Sequence, residues 1–253
     1  MKKRAVQRMS RLQRREALEF YLFISPWIIG FLVFFLYPLA SSLYYSFTHY
    51  EVGGRPVWIG LENYTAMFAD PRYLNSLLVT FKFALISVPG TIILALLLAM
   101  ILSQKLRGIN FFRTIYFMPS VMPMVAVSLT WFYILRPNSG PLAGLLALLG
   151  IQGPNWLGDP EWALPALMMI NIWISFGSQM VIFLAGLKGI PEELYEVAAI
   201  DGANGWHKFW NVTLPLLTPT IFLNLVLGII GAMQTFDVPY VMTRGGPSDA
   251  TRT

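Results

Sequence analysis

The chain of 253 residues has no cysteine, so neither a disulfide nor a thiolate metal site is open to it. Its two histidines, His49 and His207, lie far apart and have no metal-ligand spacing. None of its six lysines follows a glycine, so no Walker A loop is present to cradle ATP phosphates, and energy has to come from a partner. No nucleophile–base arrangement stands out. The chain reads as non-enzymatic by itself, with no catalytic and no metal residues. Charge is also scarce. Only 12% of residues are charged and 56% are hydrophobic, whereas a soluble domain carries about a quarter charged residues. This is the composition of an integral membrane protein.

Apolar runs of about 20 residues read as membrane spans. Five are present, at about residues 20–47, 74–102, 112–135, 162–187 and 216–242. Residues 1–19 form a basic arm with Lys2, Lys3, Arg4, Arg8, Arg11, Arg14 and Arg15. A basic start before an apolar run also raises a signal peptide. The run over 20–47 outlasts the ~7–15 apolar residues of such a peptide, so it is read as a retained span. With the N-terminus inside, the inner segments hold twelve lysines and arginines and the outer ones five, which places the arm in the cytoplasm. Lys82 lies within a span, where it snorkels or pairs at an interface. A short apolar piece, residues 142–149, is too short to cross and suits the interface.

Between the fourth and fifth spans lies the polar stretch 188–215, which holds four of the thirteen acids: Glu192, Glu193, Glu196 and Asp201. Pro191 suits a first helical position, with Glu192 and Glu193 in the first turn. Leu194, Val197, Ala198 and Asp201 fall on one face. Gly202 fits a helix stop, because glycine alone takes a left-handed residue without a Cβ penalty. Asn204 can cap a second short helix through Trp206, Phe209 and Trp210, which Leu214 and Pro215 close. As a DNA-binding helix-turn-helix the stretch fails on charge, since Lys208 is the only base in its second helix.

Glu196-Val197-Ala198-Ala199-Ile200-Asp201-Gly202-Ala203, followed by Phe209, Trp210 and then Leu214-Pro215, resembles the EAA loop of permease subunits of binding-protein-dependent ABC importers. Val197 is the one departure, where the family usually has Ala. W-I-G-L-E-N-Y-T (58–65), G-I-N-F-F-R-T-I-Y-F-M-P (108–119) and Q-T-F-D-V-P-Y-V-M-T-R-G-G-P (234–247) also look like family segments, the last like its sugar-importing branch. The resemblance implies an all-α polytopic bundle of permease type that forms half of the pathway for a sugar or sugar-like solute. Five spans are present. The family follows the G-G-P segment with one more, so a sixth is expected to be missing at the C-terminus.

The resemblance further implies a location in the bacterial plasma (inner) membrane, and a set of partners. These are a second, different permease subunit, two ATPase subunits, an extracytoplasmic solute-binding protein and the lipid bilayer, with no nucleic acid. No cofactor is bound by this chain; ATP-Mg is used by the ATPase. Glu196, Ala198, Ala199, Asp201, Gly202, Leu214 and Pro215 are the implied coupling residues. A secondary transporter or channel without an ATPase is the alternative, but no repeat and no buried carboxylate pair favours it.

Polar and aromatic residues in the last two spans are candidates for the solute path: Asn171, Trp173, Gln179, Asn224, Gln234, Phe236 and Tyr240. A sugar needs hydroxyl partners and aromatic faces. Bonding between helices explains the polar residues equally well.

Overall fold

The computed structural model describes residues 10–104 and 107–253. Of the basic residues read from the sequence, Lys2, Lys3, Arg4, Arg8 and Lys105 lie outside the described residues. The chain divides into two units, Met1–Asp70 and Pro71–Thr253. Four helices are long and apolar enough to cross a membrane, and a bent helix pair can supply a fifth crossing.

The first unit is a long helix followed by a small cap. Helix α1 (Arg11–Phe31) passes through a π turn (Leu32–Leu36) into α2 (Tyr37–Ser46). The helix therefore begins within the basic arm, and the arm and first span are not separate elements. Its start is a reciprocal cap: Gln13 N–H donates to Ser10 Oγ at 3.2 Å, and Ser10 N–H to Gln13 Oε1 at 2.9 Å. The π turn lies directly before Pro38, with Tyr37 N–H donating to Leu32 O. Proline has no N–H for the helical ladder, and the wider turn absorbs that loss. Strands β1 (Thr48–His49) and β2 (Val57–Trp58) pair antiparallel, with Thr48 opposite Trp58, and α3 (Glu62–Ala69) follows. Asn63 Nδ2 donates to Ser46 O (3.0 Å) and Thr48 O (2.9 Å), tying α3 to the end of α2. Phe47 stacks on Trp58 at 5.5 Å.

The second unit is organised on α8 (Pro160–Lys188), the most buried of the long helices. Asp159 Oδ1 accepts from Glu161 N–H at 2.9 Å to cap it, and Pro160 takes the first helical position. It packs against α4 (Pro71–Leu102), where Ala95 and Ala99 make room for Phe176, Met180 and Phe183. Small residues of this kind let membrane helices approach closely. At the end of α4, Arg113 donates from Nη2 to Leu102 O at 2.6 Å and from Nε at 3.2 Å. A cation at a helix C-terminus complements the dipole.

The sequence places one span at about 112–135, with Pro119 and Pro123 inside it. The chain forms α5 (Ile109–Phe117), a 3-10 turn (Met118–Val121) and α6 (Met124–Ile134) there, bent by 97°. Pro123 forces the change: the residue before a proline is driven from helical to extended backbone, and Met122 sits at φ −75°, ψ 143°. The end of α5 and the 3-10 turn lie against Gly177 of α8. A Cβ there would stand 2.4 Å from Tyr116 O and 2.6 Å from Ser120 Oγ. Helix α7 (Pro141–Leu148) follows α6.

The last span also differs from its sequence reading at both ends. Leu214 and Pro215 do not close a short helix. Helix α10 (Gly205–Lys208), a π turn (Phe209–Thr213) and α11 (Leu214–Met233) form one helix of 29 residues. The π turn precedes Pro215 as the first one precedes Pro38. Leu214 N–H donates to Phe209 O, and the Asn211 amide caps His207 O at 2.9 Å, so the helix runs on. At the other end the helix stops at Met233, before the sequence limit of 242. A separate α12 (Asp237–Thr243) follows. Pro239 cannot donate to Thr235 O, which accepts the Thr253 hydroxyl at 3.0 Å instead.

Candidate functional site

The 188–215 stretch is built by local rules. Helix α9 (Glu192–Ile200) starts one residue after Pro191, which is extended (φ −57°, ψ 135°) and lies just outside the helix. Glu192 and Glu193 occupy the first turn. At the far end Gly202 adopts φ +80°. Ala203 N–H donates to Ala198 O at 2.9 Å and Gly202 N–H to Ala199 O at 3.1 Å, the paired bonds of a Schellman stop. Asn204 Oδ1 accepts from His207 N–H at 3.0 Å and starts the next helix.

The back of α9 is tethered. The Tyr195 hydroxyl bonds the buried Thr213 Oγ1 at 2.9 Å, within the π turn of the long helix. Its front is bare. Val197 is 55% and Ile200 85% exposed, with Leu194 and Trp206 also exposed. Glu196, Ala199 and Asp201 share that exposure, Ala198 is half-buried, and Leu214 and Pro215 lie in the helix beyond the π turn.

The long helix Gly205–Met233 leads from this stretch to a cavity of about 430 Å³. This volume lies within the range of small-molecule sites, roughly 300–1,000 Å³. Asn171, Ser175, Ser178 and Gln179 of α8 line it, with Thr91 of α4, Gln234 and Thr235 after α11, Phe236 and Asp237. Gln179 Oε1 is buried and has no hydrogen-bond partner among the described residues. Amides, hydroxyls and one carboxylate around an aromatic face can bind a solute rich in hydroxyls.

Of the seven candidate path residues, the structure brings Asn171, Gln179, Gln234 and Phe236 together on this cavity. Trp173 is elsewhere, packed edge-to-face on Trp131 of α6 at 5.4 Å and lining a different, apolar cavity. Asn224 does not line the cavity either. It is fully buried, its Nδ2 donates to Thr220 O at 3.1 Å, and its Oδ1 has no partner among the described residues. Tyr240 faces a third cavity and stacks on Phe236 at 4.9 Å. Thr91 was not singled out from the sequence. Its signal is faint: Ser87 and Thr91 stand four apart in an apolar run, and their hydroxyls donate to Phe83 O and Ser87 O at 2.6 and 2.7 Å.

Residues 91–252 match the profile of the family described as binding-protein-dependent transport system inner membrane component. The chain belongs to that family. A probable ABC transporter permease protein of Bacillus subtilis (strain 168), YesP, is 44% identical over 247 residues, which cover 96% of this chain and 79% of YesP. The trehalose/maltose transport system permease protein MalF of Thermococcus litoralis is 36% identical over 244 residues, covering 96% of this chain and 82% of MalF. The crystal structure of a bacterial ABC transporter involved in import of the acidic polysaccharide alginate contains a similar chain. It superposes with a TM-score of 0.79 at 25% identity, over 96% of this chain and 83% of that one. The permease is thus an all-α membrane component of a transport system and not an enzyme.

Proposed function

We propose that this permease subunit forms half of a translocation pathway for a saccharide or saccharide-like solute, and that ATPase motion enters it through residues 188–215. The observation that carries this reading is the layout of α9. Its apolar front, Val197 and Ile200, has no cover among the described residues, and its back is bonded through Tyr195 to the helix that lines the 430 Å³ cavity. A push on α9 is therefore delivered from Thr213 to the cavity wall at residues 227–232, roughly 20–30 Å away along the same helix.

Val197, Ala198 and Ile200 are the apolar contact, with Glu196 and Asp201 as its polar rim and Gly202 as the turn. Leu214 and Pro215 transmit the movement beyond the π turn. ATP-Mg is consumed by two cytoplasmic ATPase subunits and no cofactor is held by this chain. A second, different permease completes the pathway, and an extracytoplasmic solute-binding protein delivers the solute. The chain sits in a bacterial inner membrane with its N-terminus in the cytoplasm. A saccharide fits the hydroxyls and amides of Asn171, Ser175, Gln179 and Gln234 and the Phe236 face, and agrees with the solutes named for MalF and the alginate transporter. Asn224 and Trp173 support the path by packing.

The test is a pull-down from solubilised native membranes, comparing the wild type with Glu196→Lys/Gly202→Pro. An ATPase should accompany the wild type and be lost from the double variant, with equal membrane insertion. An ATPase retained by the double variant, or uptake that persists when ATP is depleted, overturns the reading.

A further inference from the structure

We infer that a second cavity, which shares Phe236 with the 430 Å³ cavity, takes the acidic group of an anionic saccharide, and that Arg244 and Arg252 bind that group. This rests on the proposed solute path and names the substrate class for it. The cavity measures about 340 Å³, and Phe236, Tyr240, Arg244, Thr251 and Arg252 are among its walls. Phe236 lines both cavities, so the two adjoin at that residue.

Three features fit an acidic sugar. The first is a stacking surface: Phe236 and Tyr240 lie 4.9 Å apart and 20° from parallel, and both are more than half exposed. Sugar C–H faces pack on such rings. The second is unbalanced charge. Arg252 is paired with Asp249 at 3.3 Å, whereas the Arg244 side chain has no hydrogen bond or ion pair among the described residues. A guanidinium meets a carboxylate, phosphate or sulfonate through two parallel N–H bonds.

The third is that both arginines stand on a folded support. Residues 244–253 turn back on α12, where the fully buried Thr251 donates from Oγ1 to Gly246 O at 2.7 Å and bonds Thr243 Oγ1 at 2.6 Å. Arg244 itself, at φ +53°, is the left-handed residue that ends α12. The charge distribution also orients the solute. Asp237 lines the larger cavity and repels an anion, so the acid group stays with the arginines while the hydroxyls reach Gln179 and Asn171.

The experiment is calorimetric titration of the full chain, purified with any accompanying ATPase, in nanodiscs. The probes are a mannuronate disaccharide and its neutral counterpart, mannobiose. The wild type should bind the acidic disaccharide roughly tenfold or more tightly than mannobiose, as expected for one charge-assisted pair. Arg244→Gln/Arg252→Gln should erase the difference and leave mannobiose binding unchanged. Equal affinities in the wild type, no binding of either sugar, or a preference that survives the double variant overturns the inference.

Discs of phosphatidylcholine alone are compared with discs containing phosphatidylglycerol. A preference erased by phosphatidylglycerol assigns the arginines to a lipid headgroup and also overturns the inference. ATPase co-purification is scored on the same samples, so failure of charge selection is distinguishable from failure of the proposed function.

Discussion

Gly177→Ala tests how the bent α5–α6 pair is held against α8. The added methyl would lie 2.4 Å from Tyr116 O, 2.6 Å from Ser120 Oγ and 3.1 Å from Phe117 Cα. Real Cβ atoms essentially never come closer than 3.0 Å, so the end of α5 must withdraw by about 0.6 Å. Two of the three atoms are backbone, and no rotamer change moves them. Ser120 can rotate, but its hydroxyl is buried without a hydrogen-bond partner among the described residues, so it contributes no bond that could be lost.

Overpacking of this kind costs about 1–3 kcal/mol, and a backbone clash belongs at the upper end. At roughly 2–4 °C per kcal/mol for a chain of this size, the melting temperature should fall by about 4–12 °C. The assay is thermal unfolding of the purified permease in detergent. Gly144→Ala serves as the control, since nothing lies within 4 Å of a Cβ at that α7 position and alanine favours helix. Equal melting temperatures for Gly177→Ala and Gly144→Ala would refute the claim that close backbone approach at Gly177 holds the bend.

Three further outcomes are expected. Gly202→Ala should cost about 1 kcal/mol, because φ +80° is unfavourable for a residue with a Cβ while no neighbour obstructs it; the check is chemical denaturation, and no loss would show that the turn relaxes freely. Tyr195→Phe should reduce solute uptake while the ATPase still co-purifies, since it removes the 2.9 Å bond to Thr213 and leaves the α9 front intact; unchanged uptake would sink the tether. Gln179→Met should leave the melting temperature unchanged or raised, because a buried acceptor without a partner costs about 1–3 kcal/mol. Uptake by that variant should fall, and full uptake would remove Gln179 from the solute path.

Features governed by a few neighbouring residues were legible in the sequence. Gly202 stops α9 and Asn204 caps the next helix, because both depend on backbone angles and bonds within four residues. Apolar runs located the long helices, because transfer into a membrane depends on composition over about 20 residues. Direction was less legible. Pro119 and Pro123 stand in the sequence, yet hydropathy does not distinguish a straight helix from one bent by 97°. Pro215 looks like a stop, but a π turn carries the helix onward, as another does before Pro38.

The sequence alone determined a helical membrane protein, the position of its polar interruption and the local form of that interruption, because composition and short-range hydrogen bonding decide those. Only the tertiary structure decided which polar residues meet. Asn171 and Gln179 reach the cavity, while Trp173 of the same helix turns to Trp131 and Asn224 of α11 is enclosed. In a membrane helix both the lipid-facing and the protein-facing sides are apolar, so periodicity does not reveal rotation, and the packing of α4, α8 and α11 selects the face.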